Sequence, residues 1–297
     1  MKEAHHDRFN RMRVIFKTIV TLAPGAALVL AAEIDRWRRD FGFKPVPFEI
    51  ENWNPQVRDR LIELGLFDLL DVPANRRPPE QTTPNQTKMI RLLSETKAPG
   101  AACTTLRNQL ETVAGTVPAR TYFHDGVSEA MANVGHHAYP PAMADAAVPW
   151  LKDRWWATGS YNPKNGSLRV LFYDQGVGIP ATLLSKVAKD EKQKNLLKWI
   201  FAELARLNGD KSDEGKLIQA ALTFPRSSTG EANRGYGLTD IRAYVENSRA
   251  GTLRILSGRG EIAYVRGGNM ETKNHKARFT GTLIEWEVFR DVNSQEA

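Results

Sequence analysis

Five prolines, Pro73, Pro78, Pro79, Pro84 and Pro99, fall among Asn, Gln, Thr and Arg between Val72 and Gly100. Proline lacks the backbone donor and clashes with a preceding helical turn, so such a stretch cannot be the interior of a long regular element. The chain therefore divides into an N-terminal segment, 1–75, a Pro-rich linker, 76–100, and a larger C-terminal segment, 101–297. Within the linker, a single helical turn is expected near Met89–Leu93. No internal repeat is present.

Composition narrows the class. With 41% hydrophobic and 25% charged residues, both segments can build packed cores. The longest apolar run, Gly25 to Ala32, is far too short to span a bilayer, so no membrane association is expected. Lys2, His5, His6, Asp7 and Arg8 precede no apolar stretch of the kind a secretory signal needs. One cysteine, Cys103, excludes an internal disulfide framework and fits a cytoplasmic protein. The net charge of +7 is spread over both segments, roughly +3 before residue 100 and roughly +4 after it. No basic run or stripe interleaved with aromatics accompanies it, which argues against a nucleic-acid partner.

The N-terminal segment reads strand, helix, strand, helix. Val14-Ile15-Phe16 and Ile19-Val20 suit a buried strand. After Pro24-Gly25, apolar residues recur at Ala27, Leu30, Ala31, Ile34 and Trp37, one face of a helix. Pro45 to Ile50 is extended. Asn54-Pro55 supplies an N-cap and a first-turn proline for a helix with its face on Val57, Leu61 and Leu64, closed by Gly65.

Chemistry concentrates in three motifs of the C-terminal segment. Ser128 to Tyr139, read as a helix, puts Glu129, Asn133 and His136 or His137 at i, i+4 and i+7 or i+8, on one stripe. Val127, Ala130, Met131, Val134 and Ala138 then form the buried face. A carboxylate there can deprotonate a nucleophile, and an amide oxygen suits Mg²⁺. In the second motif, the apolar strand Leu168 to Tyr173 runs into Asp174, followed by Gly176 and Gly178. The carboxylate can accept from an exocyclic amine, and the glycines let backbone approach a ligand. The third, Gly230 to Leu238, is a glycine-rich loop that opens a helix, an arrangement whose free N–H groups suit phosphate oxygens. It matches neither the dinucleotide fingerprint nor a Walker A loop.

In this order the three motifs resemble the N box and two glycine boxes of the GHKL superfamily, the gyrase, heat-shock chaperone, histidine-kinase and MutL-type ATPases that share the Bergerat fold. The resemblance covers about residues 101 to 297. It implies an α/β sandwich, with a mixed sheet carrying helices on one face, that binds ATP and Mg²⁺. Glu129 would be the general base and Asn133 the Mg²⁺ ligand. Asp174 would bind the adenine amine, Gly176 and Gly178 would shape the pocket, and Gly235, Tyr236, Gly237 and Leu238 would form the phosphate-side loop, with Ser228 and Thr229 just before it. His137 stands where anti-sigma-factor kinases often carry a histidine, either touching phosphate or capping the helix. The run Asn133-Val134-Gly135-His136-His137-Ala138-Tyr139 looks most like that branch. Residues of about 181–233 correspond to the family's ATP lid, with helices expected from Leu196 to Leu207 and from Glu214 to Leu222. Strands are expected at Trp155–Gly159, Leu168–Tyr173, Thr252–Ser257 and Gly281–Val288.

The N-terminal order resembles the STAS fold of anti-sigma-factor antagonists, through Thr21-Leu22-Ala23-Pro24-Gly25-Ala26-Ala27 at the strand-to-helix turn and Leu64-Gly65-Leu66-Phe67 later. Antagonists are phosphorylated at that turn, where Ala23 or Pro24 here carries no hydroxyl. The resemblance thus implies a docking module and a separate protein substrate or partner, with self-association as a homodimer left open. Three functions are compatible with it: an ATPase or anti-sigma-type Ser/Thr kinase in regulatory signalling, a non-catalytic ATP-gated interaction switch, and a DNA-acting GHKL ATPase. The last would ordinarily carry a transducer domain after the ATPase.

Overall fold

The computed structural model describes residues 11–42, 44–79, 86–96, 99–140, 154–185, 191–224 and 238–290. The N-terminal segment follows the expected order. Strand β1 (Arg11–Val14) leads to helix α1 (Pro24–Phe41), then to β2 (Lys44–Pro47), which pairs with β1 in parallel. Helices α2 (Pro55–Glu63) and α3 (Leu66–Leu69) complete it. The Asn54 side chain caps α2, accepting from the N–H groups of Gln56 at 3.0 Å and Val57 at 3.4 Å. Asn54→Ala is expected to cost about 1 kcal/mol, a fall of about 2–4 °C in Tm, with Asn54→Asp close to wild type in the same melt.

The segment around Met89–Leu93 forms strands rather than the expected helical turn. Strands β3 (Lys88–Met89) and β4 (Leu93–Glu95) both pair antiparallel with β5 (Trp155–Asn162). A run as short as Met89 to Leu93 carries no decisive period, and here the backbone partners decide.

Helices α4 (Pro99–Ala114) and α5 (Arg120–Asn133) follow, and α5 widens into a π turn at Val134–Ala138. Strand β5 then turns through Asn165 and Gly166 into β6 (Ser167–Asp174). Three helices come next: α6 (Ile179–Ser185), α7 (Glu191–Arg206) and α8 (Glu214–Leu222). Helix α9 (Leu238–Glu246) precedes the long hairpin of β7 (Gly251–Val265) and β8 (Met270–Phe289). These two strands run well past the expected Thr252–Ser257 and Gly281–Val288, with an irregular register between Ser257 and Gly260.

The large sheet has the order β3-β5-β6-β8-β7, with β4 also on β5. Every pairing among its described strands is antiparallel, so the expected mixed sheet is not what forms there. Helices on one face alone also prove too few. The run Val170-Leu171-Phe172-Tyr173 has no polar alternation, so both faces of β6 need cover. Phe172 and Val170 pack with Leu106, Phe123, Ile241 and Trp286 under α4, α5 and α9. Leu171 and Tyr173, on the other face, pack with Trp156, Leu283 and the α1 residues Leu28 and Ala32. Helix α1 is thus the second layer of the main sheet. Ala27, Ala31 and Ile34, also buried on α1, face the N-terminal core around Trp53, Leu61 and Phe67.

The helices between the glycine motifs build their own small core. Leu196, Ile200 and Leu204, at helical spacing on α7, pack against Leu183, Leu217, Ala220 and Ala221. Ile218 and Leu222 of α8 join the main core instead. Glu214 fastens the start of α8 to the hairpin by accepting from the Arg259 N–H at 2.7 Å and pairing with Arg278.

Candidate functional site

Strand parity brings the site together. Along β6, residues 168, 170, 172 and 174 point to the helical layer, so Asp174 is carried onto the same face as Phe172. It ends its strand between Trp155 of β5 and Thr282 of β8 in register. Over it stand α5, with its π turn, and α6. Helix α9 begins alongside.

A cavity lies between these elements. Its lining includes Asn133, His137, Asp174, Gly178 and Leu238, five of the residues that the sequence nominates, from all three motifs. The empty space, open mouth and adjoining solvent included, is about 720 Å³. Apolar walls come from Phe172, Ile179, Leu183, Leu196, Ile241 and Ile284.

Asp174 is the charged group of this lining. It is buried, and burial pushes its carboxyl up to about 7. Hydrogen bonds from the Gly176 N–H, at 2.9 Å, and from the hydroxyl and N–H of Thr282 pull the other way. Behind Thr282 lies Ser257, whose hydroxyl is 2.9 Å from that of Thr282, donates to the Gly281 carbonyl at 3.2 Å and accepts from the Ile179 N–H at 2.8 Å. This chain ties the floor of the cavity to the start of α6.

The turn after Asp174 is held from the opposite wall. The Gln175 N–H donates to the Tyr139 hydroxyl at 3.1 Å, and the Val177 N–H donates to the Ala138 carbonyl at 2.9 Å. Gly176 is needed for that approach, because a Cβ there would strike the Ala138 carbonyl oxygen and lie 2.6 Å from the Ala138 Cβ. The π turn supplies these contacts, and such widened turns commonly occur at functional sites.

Asn133 reaches the cavity with its amide nitrogen buried and without a hydrogen-bond partner. A carboxamide can turn either its nitrogen or its oxygen inward, so a ligand donor, acceptor or cation could satisfy this end. His137 also lines the cavity, whereas His136 is exposed. Glu129 sits half-buried one turn earlier on α5 and is not among the lining residues. Gly176 shapes the wall from behind Ala138 rather than lining the space. Ser228, Thr229, Gly235, Tyr236 and Gly237 lie outside the described residues.

Thr282, Thr182 and Ile284 also line the cavity and carried no signal in the sequence. Thr182 donates to the Gly178 carbonyl at 3.0 Å, a bond within its own helical turn. Thr282 could be found only by knowing that β8 lies beside β6 in this register.

The arrangement is a largely apolar cavity with a buried carboxylate and a hydroxyl on the sheet side and, on α5, a buried amide nitrogen without a partner. Among the described residues, no three His, Cys, Asp or Glu side chains gather to hold a metal ion, so any cation here would draw most of its ligands from a bound molecule and water. No helix among the described residues is long and apolar enough to cross a membrane.

Fold and site together define a mixed α/β protein with a largely apolar cavity between an antiparallel sheet and its helices. Compared with known proteins, the chain matches no protein-family model and no curated protein.

Proposed function

We propose that this cavity binds ATP with Mg²⁺ as a GHKL-type site, and that the protein uses the nucleotide in regulatory signalling through a protein partner, as an ATPase or an anti-sigma-type Ser/Thr kinase. One observation carries the reading: Asn133, His137, Asp174, Gly178 and Leu238, spread over more than a hundred residues, line a single cavity. Adenine would lie between Phe172 and Ile284 on one side and α6 on the other, its amine toward Asp174. Asn133 would take the cation with its carboxamide turned so that the oxygen occupies the place of the buried nitrogen, which lacks a partner. Mg²⁺ there would neutralise phosphate charge, while the start of α9 at Leu238 would direct N–H groups toward phosphate oxygens. The Bergerat reading is supported by the layer of α4, α5 and α9 packed on one face of the large sheet, and the STAS-like module by the parallel β1-α1-β2 unit.

The ATP-gated switch is the second reading, and the position of Glu129 favours it. A base must come within hydrogen-bond reach of the attacking group, and Glu129 stays outside the lining.

Incubation with Mg²⁺ and γ-labelled ATP separates the two. Under the catalytic reading, wild type releases or transfers label, and Glu129→Ala slows this about 100-fold or more while binding ATP normally. Intact bound ATP in both proteins would establish the switch. Absence of nucleotide binding at millimolar ATP would sink the proposal.

A further inference from the structure

Asp174 ends β6 and Gln175 is the residue after it, and their side chains leave in opposite directions. The first enters the cavity. The second crosses to α1, where its amide nitrogen donates to the Glu33 carboxylate at 2.8 Å. Gln175 is 3% exposed, deep for a glutamine, and it also lies against the Tyr173 hydroxyl. That hydroxyl in turn donates to the Thr280 carbonyl at 3.1 Å, two residues before Thr282, which lines the cavity. Glu33 is held by Arg36 at 2.6 Å. The turn that aims Asp174 is therefore fixed on one side by the π turn and on the other by α1. The second fixing point belongs to the N-terminal segment, some 140 residues away in sequence.

We propose that Gln175 is a positioning residue of the nucleotide site and that Glu33 holds it, so that the N-terminal module sets the affinity of the cavity. This rests on the ATP-binding reading above. Without an acceptor at Glu33, the buried amide loses its partner and the 174–177 turn gains alternatives. A turn that no longer aims the carboxylate binds the amine less well. Coupling of this kind is reciprocal: a ligand that fixes the turn also stabilises α1 in place.

A second bond between α1 and the sheet provides the control. The Trp156 indole N–H donates to Asp35 at 3.1 Å, both groups buried. It anchors α1 to β5 without touching the turn.

Glu33→Leu, Glu33→Gln and Trp156→Phe are compared with wild type in the full chain, by ATP titration and by hydrogen exchange of the amides of 175–177 without nucleotide. Glu33→Leu is expected to weaken ATP binding about three- to tenfold and to speed exchange at those amides. Glu33→Gln, which keeps an acceptor oxygen, restores both. Trp156→Phe leaves the exchange of the turn and the ATP affinity near wild type even where its Tm falls. Unchanged affinity and exchange in Glu33→Leu would overturn the proposal, as would an equal loss in Trp156→Phe, which would mean general loosening of α1. If wild type itself binds no ATP, the functional reading fails, and the exchange of the 175–177 amides alone decides whether Glu33 positions the turn.

Discussion

Asp174→Asn is expected to weaken ATP binding about 10- to 100-fold and at the same time to make the nucleotide-free protein more stable at alkaline pH. The two effects have one cause. The Asp174 carboxylate is 5% exposed and its carboxyl is raised to about 7 from an ordinary 3.8, burial being the largest contribution. An acid whose folded pKa lies above its unfolded one takes up a proton on folding between the two values. Its contribution to stability is complete at low pH and is lost as pH rises through about 7. With a shift of about three units, the whole loss is on the order of 4 kcal/mol, spread from about pH 4 to about pH 7, and roughly 3 kcal/mol of it falls between pH 5 and 8.5. Asparagine does not titrate, so the variant should show no such fall. Melting curves without nucleotide from pH 5 to 8.5 would show the Tm difference between variant and wild type widening up to about pH 7 and then levelling.

Binding moves the other way. The Gly176 N–H and the Thr282 groups already donate to this side chain, so an asparagine must turn its NH₂ toward one of those donors or toward the ligand amine. Either choice sets two donors face to face. The loss of a hydrogen bond to a charged acceptor corresponds to about 10- to 100-fold in affinity. For the same reason wild type should bind more tightly as pH rises through about 7. A variant that binds ATP as wild type does would remove the cavity from the nucleotide site, whatever its melting curve. Weakened binding with an unchanged Tm profile would mean instead that water reaches the carboxylate.

The site was legible where one residue type has one use. An aspartate that ends an apolar strand before Gly-x-Gly, and a helical stripe holding an asparagine and a histidine, could be read singly, and Asn133, His137 and Asp174 do meet. What escaped depends on partners that sequence spacing does not encode. Thr282 matters through its register with Asp174, and Gln175 through its hydrogen bond to α1. The four long strands of the large sheet were visible as apolar runs, but the hairpin beyond Ser257 was not: Gly258 and Gly260 interrupt the apolar pattern of β7 before the buried Ile262 and Tyr264, and the facing stretch of β8, 270–279, is largely exposed. The continuous apolarity of Val170 to Tyr173 did hold a clue that the second face needed cover. The helix that supplies it, α1, lies on the far side of the prolines, and nothing in the spacing assigns its two apolar faces to two different cores.

The other large effect is expected at Gly281, where β8 leaves β6. Residues 282–289 of β8 pair with β6, whereas 270–279 pair with β7 alone. Gly281 makes that departure with φ at +81°, and a Cβ there would fall on the Asp174 carbonyl oxygen, 2.6 Å from its carbon and 2.8 Å from the Gln175 Cα. All three are backbone atoms beside the cavity, and none can swing aside. Gly281→Ala must therefore push the two strands apart just where Thr282 meets Asp174. Gly267→Ala isolates the cost of the backbone angle, since Gly267 has φ at +73° in the hairpin turn and a methyl added there would meet nothing within 4 Å. That variant should lose about 1 kcal/mol. Gly281→Ala should lose about 3–5 kcal/mol, a Tm about 10 °C below wild type at this size, with nucleotide binding lost by whatever fraction remains folded. The difference between the two variants is the steric part, and it acts on the strand pair that holds the acceptor. Equal melting temperatures would show that β6 and β8 can separate here without cost, and the close packing that buries Asp174 and raises its pKa would then have no support.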